Sequence, residues 1–164
     1  MAGKSDFTPD EWGLIRKSPL FATLAVVAAE PNGPIGVMKE MFSVAKFIAE
    51  TKMKGGSNAI VTDLAAELST KEGAQAARPE GIQGKSPDEA RQMALAELKK
   101  VGELVDGKAP GDAAGFKEWL REVSSRVAHA SKEGGFFGIG GTLVTEKEQQ
   151  ALADTASALG LAKA

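Results

Sequence analysis

The run Pro79-Glu80-Gly81-Ile82-Gln83-Gly84-Lys85-Ser86 ends in Gly-Lys-Ser where a helical pattern begins. In a phosphate-binding loop these residue types share one task. Glycines let backbone N–H groups wrap a phosphate, and the lysine meets its charge. Here Pro79 stands where the first glycine is required, and no strand-like run precedes the loop. The amides therefore lack the geometry to wrap a phosphate, and Ser86 is explained as a helix cap. His129 is the only histidine, and there is no cysteine. That combination excludes thiolate chemistry, disulfides and cysteine-based zinc sites. No serine lies at a recognisable nucleophile spacing from His129, which falls near the edge of an apolar stripe as a structural or surface residue. Carboxylates could do acid–base work, but only as a positioned pair, and no spacing marks one.

Gly134-Gly135-Phe136-Phe137-Gly138-Ile139-Gly140-Gly141 surrounds three large apolar residues with five glycines. A dinucleotide loop needs a preceding strand and an immediate helix, and this stretch has neither pattern. Two readings stay open. Phe136, Phe137 and Ile139 plug the core while the glycines allow tight turns, or they form an apolar lip beside a pocket or partner site.

Elements able to position these residues are written in the helical period. Thr8-Pro9-Asp10-Glu11, Ser86-Pro87-Asp88-Glu89 and Thr145-Glu146-Lys147-Glu148 are capping boxes, two of them with proline at the first helical position. Ser18-Pro19 reads as a fourth helix start. Phe116, Trp119, Leu120, Val123, Val127 and Ala130 form one apolar stripe, and Ala94, Leu98, Val101 and Val105 another. Met38, Met41, Phe42, Ala45 and Ile48 form a third, and Leu152, Ala156 and Leu159 a fourth, closed by Gly160 as a C-cap. Helices are expected near 9–17, 19–30, 35–53, 58–69, 87–106, 112–132 and 146–159, with a short turn at 107–111. Residues 70–85, with three glycines, a proline and few large apolar residues, read as a mobile loop.

Composition sets the frame. The chain has 164 residues, 43% hydrophobic and 26% charged, with a net charge of −2. This is one soluble globular domain with a real core. The balance of charge gives no basic, aromatic surface for nucleic acid and no pull towards anionic lipid. The longest apolar run, 20–29, is about half of the ~20 residues a membrane helix needs. No secretory leader is visible in Met1-Ala2-Gly3-Lys4-Ser5-Asp6, so a cytoplasmic protein is expected.

The chain also echoes itself. Gly33-Pro34-Ile35-Gly36-Val37-Met38-Lys39-Glu40 reads against Gly141-Thr142-Leu143-Val144-Thr145-Glu146-Lys147-Glu148, with a glycine, an aliphatic residue two positions on and a Lys-Glu pair at one offset. With Ala22 to Glu30 before the first copy and Ala151 to Leu161 after the second, this resembles the TerB-like family of tellurite-resistance-associated proteins. The likeness covers the first third and the last sixth of the chain. It implies a helical fold with two similar halves and a divalent cation, Ca²⁺ or Mg²⁺, held by acidic residues of both turns. The candidate ligands it implies are Glu30, Asn32, Glu40, Glu146 and Glu148. Asn32 and Gly140 stand where the family carries aspartate before glycine. Without the resemblance, Glu148 is a helix cap and Glu40 lies on an exposed face.

The sequence thus leads to an all-α bundle of about seven helices with two similar turn-helix units. The leading expectation for function is a non-enzymatic binding or stress-associated module for an unidentified protein or small ligand, with no cofactor and no nucleic acid. A TerB-like metal-binding protein is the alternative, and a carboxylate-based enzyme the third.

Overall fold

The computed structural model describes residues 1–31, 33–130 and 144–161. Among these there are seven α-helices, one short 3-10 turn at Lys4–Asp6 and no strand. The helices are α1 (Pro9–Val27), α2 (Gly33–Lys54), α3 (Ala59–Leu68), α4 (Lys71–Ala76), α5 (Pro87–Lys108), α6 (Pro110–Ala130) and α7 (Glu146–Ala158). The all-α bundle read from the sequence is the observed architecture.

All three capping boxes form. The hydroxyls of Thr8, Ser86 and Thr145 accept from the amides of Glu11, Glu89 and Glu148 at 3.2–3.3 Å, and each glutamate accepts from the cap amide at 2.8–2.9 Å. Each box satisfies two N–H groups that a helix start would otherwise leave without a partner. At the far end of α7, Gly160 takes φ +73°, and the amide of Leu161 reaches back to the carbonyl of Ala156 at 2.9 Å. That left-handed turn closes the helix as glycine alone does without strain.

The expected break at Ser18-Pro19 does not occur, since α1 runs through it. Proline has no N–H for the carbonyl four residues back, here that of Ile15. The Ser18 hydroxyl donates to that same carbonyl at 2.6 Å, and the Thr23 hydroxyl donates to the carbonyl of Pro19 at 2.8 Å. The Ser18 hydroxyl serves the carbonyl that the ring leaves without its N–H, and the helix continues. The expected turn at 107–111 also contracts. Ala109 alone separates α5 from α6, and it is buried.

Residues 70–85 hold a helix where a loop was expected. Thr70 caps α4 by accepting from the amide of Gly73 at 3.0 Å. A Cβ on Gly73 would lie 2.0 Å from the carbonyl oxygen of Glu67, so only glycine lets α4 fold back onto the end of α3. Ala77, at the end of α4, is 1% exposed.

The core sits between α1, α5 and α6, with α2, α3 and α7 laid around it. Phe116, Leu120, Val123 and Val127 on α6 and Ala94, Leu98, Val101 and Val105 on α5 are fully buried, as their stripes predict. Glu67 ties the N-terminal region to α3. It accepts from Arg16 at 2.8 Å, Lys4 at 2.9 Å and the Trp12 indole at 2.8 Å. Burial alone would raise its pKa, but the three donors outweigh this and hold it at about 2.

Candidate functional site

The start of α7, in the second echoing unit, meets the chain just before the first. α1 ends near Glu30 and α7 begins at Thr145. The Thr145 hydroxyl donates to the Glu30 carboxylate at 2.5 Å, across 115 residues of sequence. Beside this bond Glu148 is 2% exposed, its carboxylate accepting the Thr145 amide. Local sequence accounts for both ends. The capping box fixes the Thr145 side chain, and Glu30 lies in the turn three residues past the end of α1.

The remaining implied ligands are placed differently. Glu40 was expected on an exposed face. It is instead 2% exposed, in line with Val44 and Ile48 on the inward side of α2. Glu146 is exposed in the first turn of α7. Asn32, Gly140 and the apolar residues Phe136, Phe137 and Ile139 lie outside the described residues. Among the described residues no three acidic groups come close enough to hold a metal ion. The bond from Thr145 to Glu30 and the cap on Glu148 already occupy oxygens that a hard cation would need. The described part of the site therefore does not, as it stands, present a cation cage.

α2 carries the larger surprise. Its expected buried stripe was Met38, Met41, Phe42, Ala45 and Ile48, and only Ile48 of these is buried. The inward stripe is Glu40, Val44 and Ile48, with Phe47 and Thr51 beside it. Phe47 stacks on Trp119 with centroids 5.8 Å apart, and the Trp119 indole donates to the Thr51 hydroxyl at 3.1 Å. These contacts with α6 fix how α2 is rotated. The opposite side then faces out, with Ile35 at 73%, Met38 and Phe42 at 72% and Met53 at 87% exposed. At 100° per residue these four fall within one narrow outward sector.

A groove of about 780 Å³ runs between this outward side and α6. Ile35, Met38 and Phe42 line it together with Lys39, Lys46 and Arg126, and among the described residues no acidic one does. Lys39 and Lys46 form no ion pair among the described residues, whereas Arg126 pairs with Glu122 at 2.8 Å. His129 also borders the groove. It is exposed, with Nδ1 2.7 Å from the backbone carbonyl of Ser125, one turn back on α6.

Compared with known proteins, the chain matches no family model, no curated sequence and no solved structure. The functional reading therefore stands on geometry. Sequence periodicity did not show which side of α2 faces out, because α2 is apolar on both. The signal that was present is the lysine pair Lys39 and Lys46, seven residues apart on the outward side.

Proposed function

We propose that this chain is a helical binding module without catalytic chemistry of its own, and that its contact surface is the outward side of α2. The observation that carries this reading is the exposure of Ile35, Met38 and Phe42 in one row. Single exposed apolar residues need no explanation, but a contiguous apolar row rimmed by charge marks a contact site. Burying each such side chain is worth about 1.5–3 kcal/mol. Methionine adds adaptability to the shape of a partner. The unpaired lysines on the rim select a protein partner whose apolar residues are flanked by carboxylates.

Photo-crosslinking tests this. A benzoylphenylalanine residue is placed at Met38, and at the exposed Gln92 on α5 as a control. The expected result is one adduct of defined mass from position 38, lost in Lys39→Glu/Lys46→Glu, and none from position 92. No adduct at 38, or the same adduct from both positions, overturns the reading.

The second reading is a TerB-like protein with a divalent cation between its two turns. What supports it is that Glu30, one implied ligand, lies beside the start of α7, which carries Glu146 and Glu148. Its test is the response of the melting temperature to cation, argued in the closing paragraph.

A further inference from the structure

The other flank of α2 borders a second depression, of about 470 Å³, between α2, α1 and the α3–α4 turn. Four alanines line it, Ala45 and Ala49 from α2 and Ala74 and Ala77 from α4 and its cap. Methyl side chains leave open the space that longer ones would fill. Val44, Ile48 and Leu20 supply further apolar surface. The position of α4 is not loose, because Gly73 packs its backbone directly on that of Glu67. The volume lies in the range of about 300–1,000 Å³ typical of small-molecule sites, which are mostly apolar with a few polar groups.

Arg78 is the one charged residue lining this slot. The chain has four other arginines, Arg16, Arg91, Arg121 and Arg126, and each is within ion-pair distance of a carboxylate. Arg78 makes no such pair among the described residues, and it is exposed at the end of α4. We propose that the slot binds an aliphatic carboxylate, with the alkyl chain between the alanines and the carboxylate on the Arg78 guanidinium. A guanidinium takes a carboxylate through two parallel hydrogen bonds, and the apolar lining takes only a chain without polar groups. The slot lies on the flank of α2 away from Lys39, Lys46 and Arg126, so this inference does not depend on the protein contact proposed above.

Calorimetric titration of the full chain with hexanoate, octanoate and decanoate, and with their methyl esters, tests it. Affinity for the acids is expected to rise about fourfold per added methylene until the slot is filled. Arg78→Gln is expected to weaken acid binding tenfold or more and to leave ester binding unchanged. Ala49→Leu fills the slot from an exposed position and is expected to abolish binding of both at an unchanged melting temperature. No binding at millimolar acid overturns the proposal. So does equal affinity for acid and ester in the unaltered chain, or Ala49→Leu binding as the unaltered chain does.

Discussion

α6 and α2 are of nearly equal length, 21 and 22 residues, and they lie against each other, yet they meet solvent in opposite ways. α6 has one apolar stripe and charged residues elsewhere, and it buries Phe116, Leu120, Val123 and Val127 completely. α2 has apolar residues on both sides. It buries Val44 and Ile48 and leaves Ile35, Met38, Phe42 and Met53 in water. α6 thus turns its apolar stripe into the core, and α2 leaves part of its apolar surface in solvent.

The largest effect should fall on α6. Phe116→Ala is expected to cost ~3–5 kcal/mol by urea unfolding, through lost burial and the cavity left behind. Phe42→Ala on α2 is expected to fall within about 0.5 kcal/mol of the unaltered chain, since nothing packs on an exposed ring. A cost above about 2 kcal/mol for Phe42→Ala would show that this side of α2 is already covered, and the contrast would collapse.

The second effect separates the packed half from α2 by pH. Glu67 joins α3 to Arg16 and Trp12 of α1 and to Lys4, and its pKa falls from 4.5 to about 2 on folding. A lowered folded pKa gives stability that is fully present above about 4.5 and is lost as pH falls towards about 2. Allowing for solvent screening, that loss should be about 1–2 kcal/mol. Glu67→Gln should flatten this part of the pH profile. An unchanged acid limb in Glu67→Gln would show that the cluster holds nothing together.

A smaller effect tests why α1 can serve as the central helix. Ser18→Ala removes the donor to the Ile15 carbonyl, and Pro19 offers no N–H in its place. The expected cost is about 1 kcal/mol, that of a buried acceptor losing its partner. Stability equal to the unaltered chain would mean the carbonyl is served in another way.

These elements also show what a sequence can carry. The capping boxes at Thr8, Ser86 and Thr145 were legible because their bonds are local, spanning three residues. The α6 stripe was legible because only one side of that helix is apolar. Pro19 misled because the compensating Ser18 hydroxyl is invisible to a rule about proline alone. α4 was hidden because its glycine, which reads as a loop residue, is required by a close backbone approach. The orientation of α2 was not legible, since two apolar sides compete and the choice is made by Phe47 and Thr51 meeting Trp119 of a distant helix. The contact of Glu30 with Thr145 is of the same long-range kind. The echo between the two units says nothing about that contact, since Glu30 lies outside it.

The smallest expected effect concerns Glu40, the one acidic residue on the inward stripe of α2. If the turns held a cation, Glu40 and Glu148, both buried, would be among its implied ligands. Metal binding the folded state alone stabilises it by about 2.7 kcal/mol at a hundredfold excess over the dissociation constant. For a chain of this length each kcal/mol moves the melting temperature by about 2–4 °C, so the rise would be on the order of 5–10 °C. Ca²⁺ needs six to eight oxygens and Mg²⁺ near-octahedral geometry. The described residues bring no three carboxylates together, and Asn32 replaces an acid at the first turn. We therefore expect Ca²⁺, Mg²⁺ and Mn²⁺ to leave the melting temperature within about 1 °C, too small a shift for a site that is about nine-tenths occupied. A rise of several degrees at micromolar cation, absent in Glu40→Gln/Glu148→Gln, would reverse the order of the two readings. The buried carboxylates of Glu40 and Glu148 would then count towards a cation site.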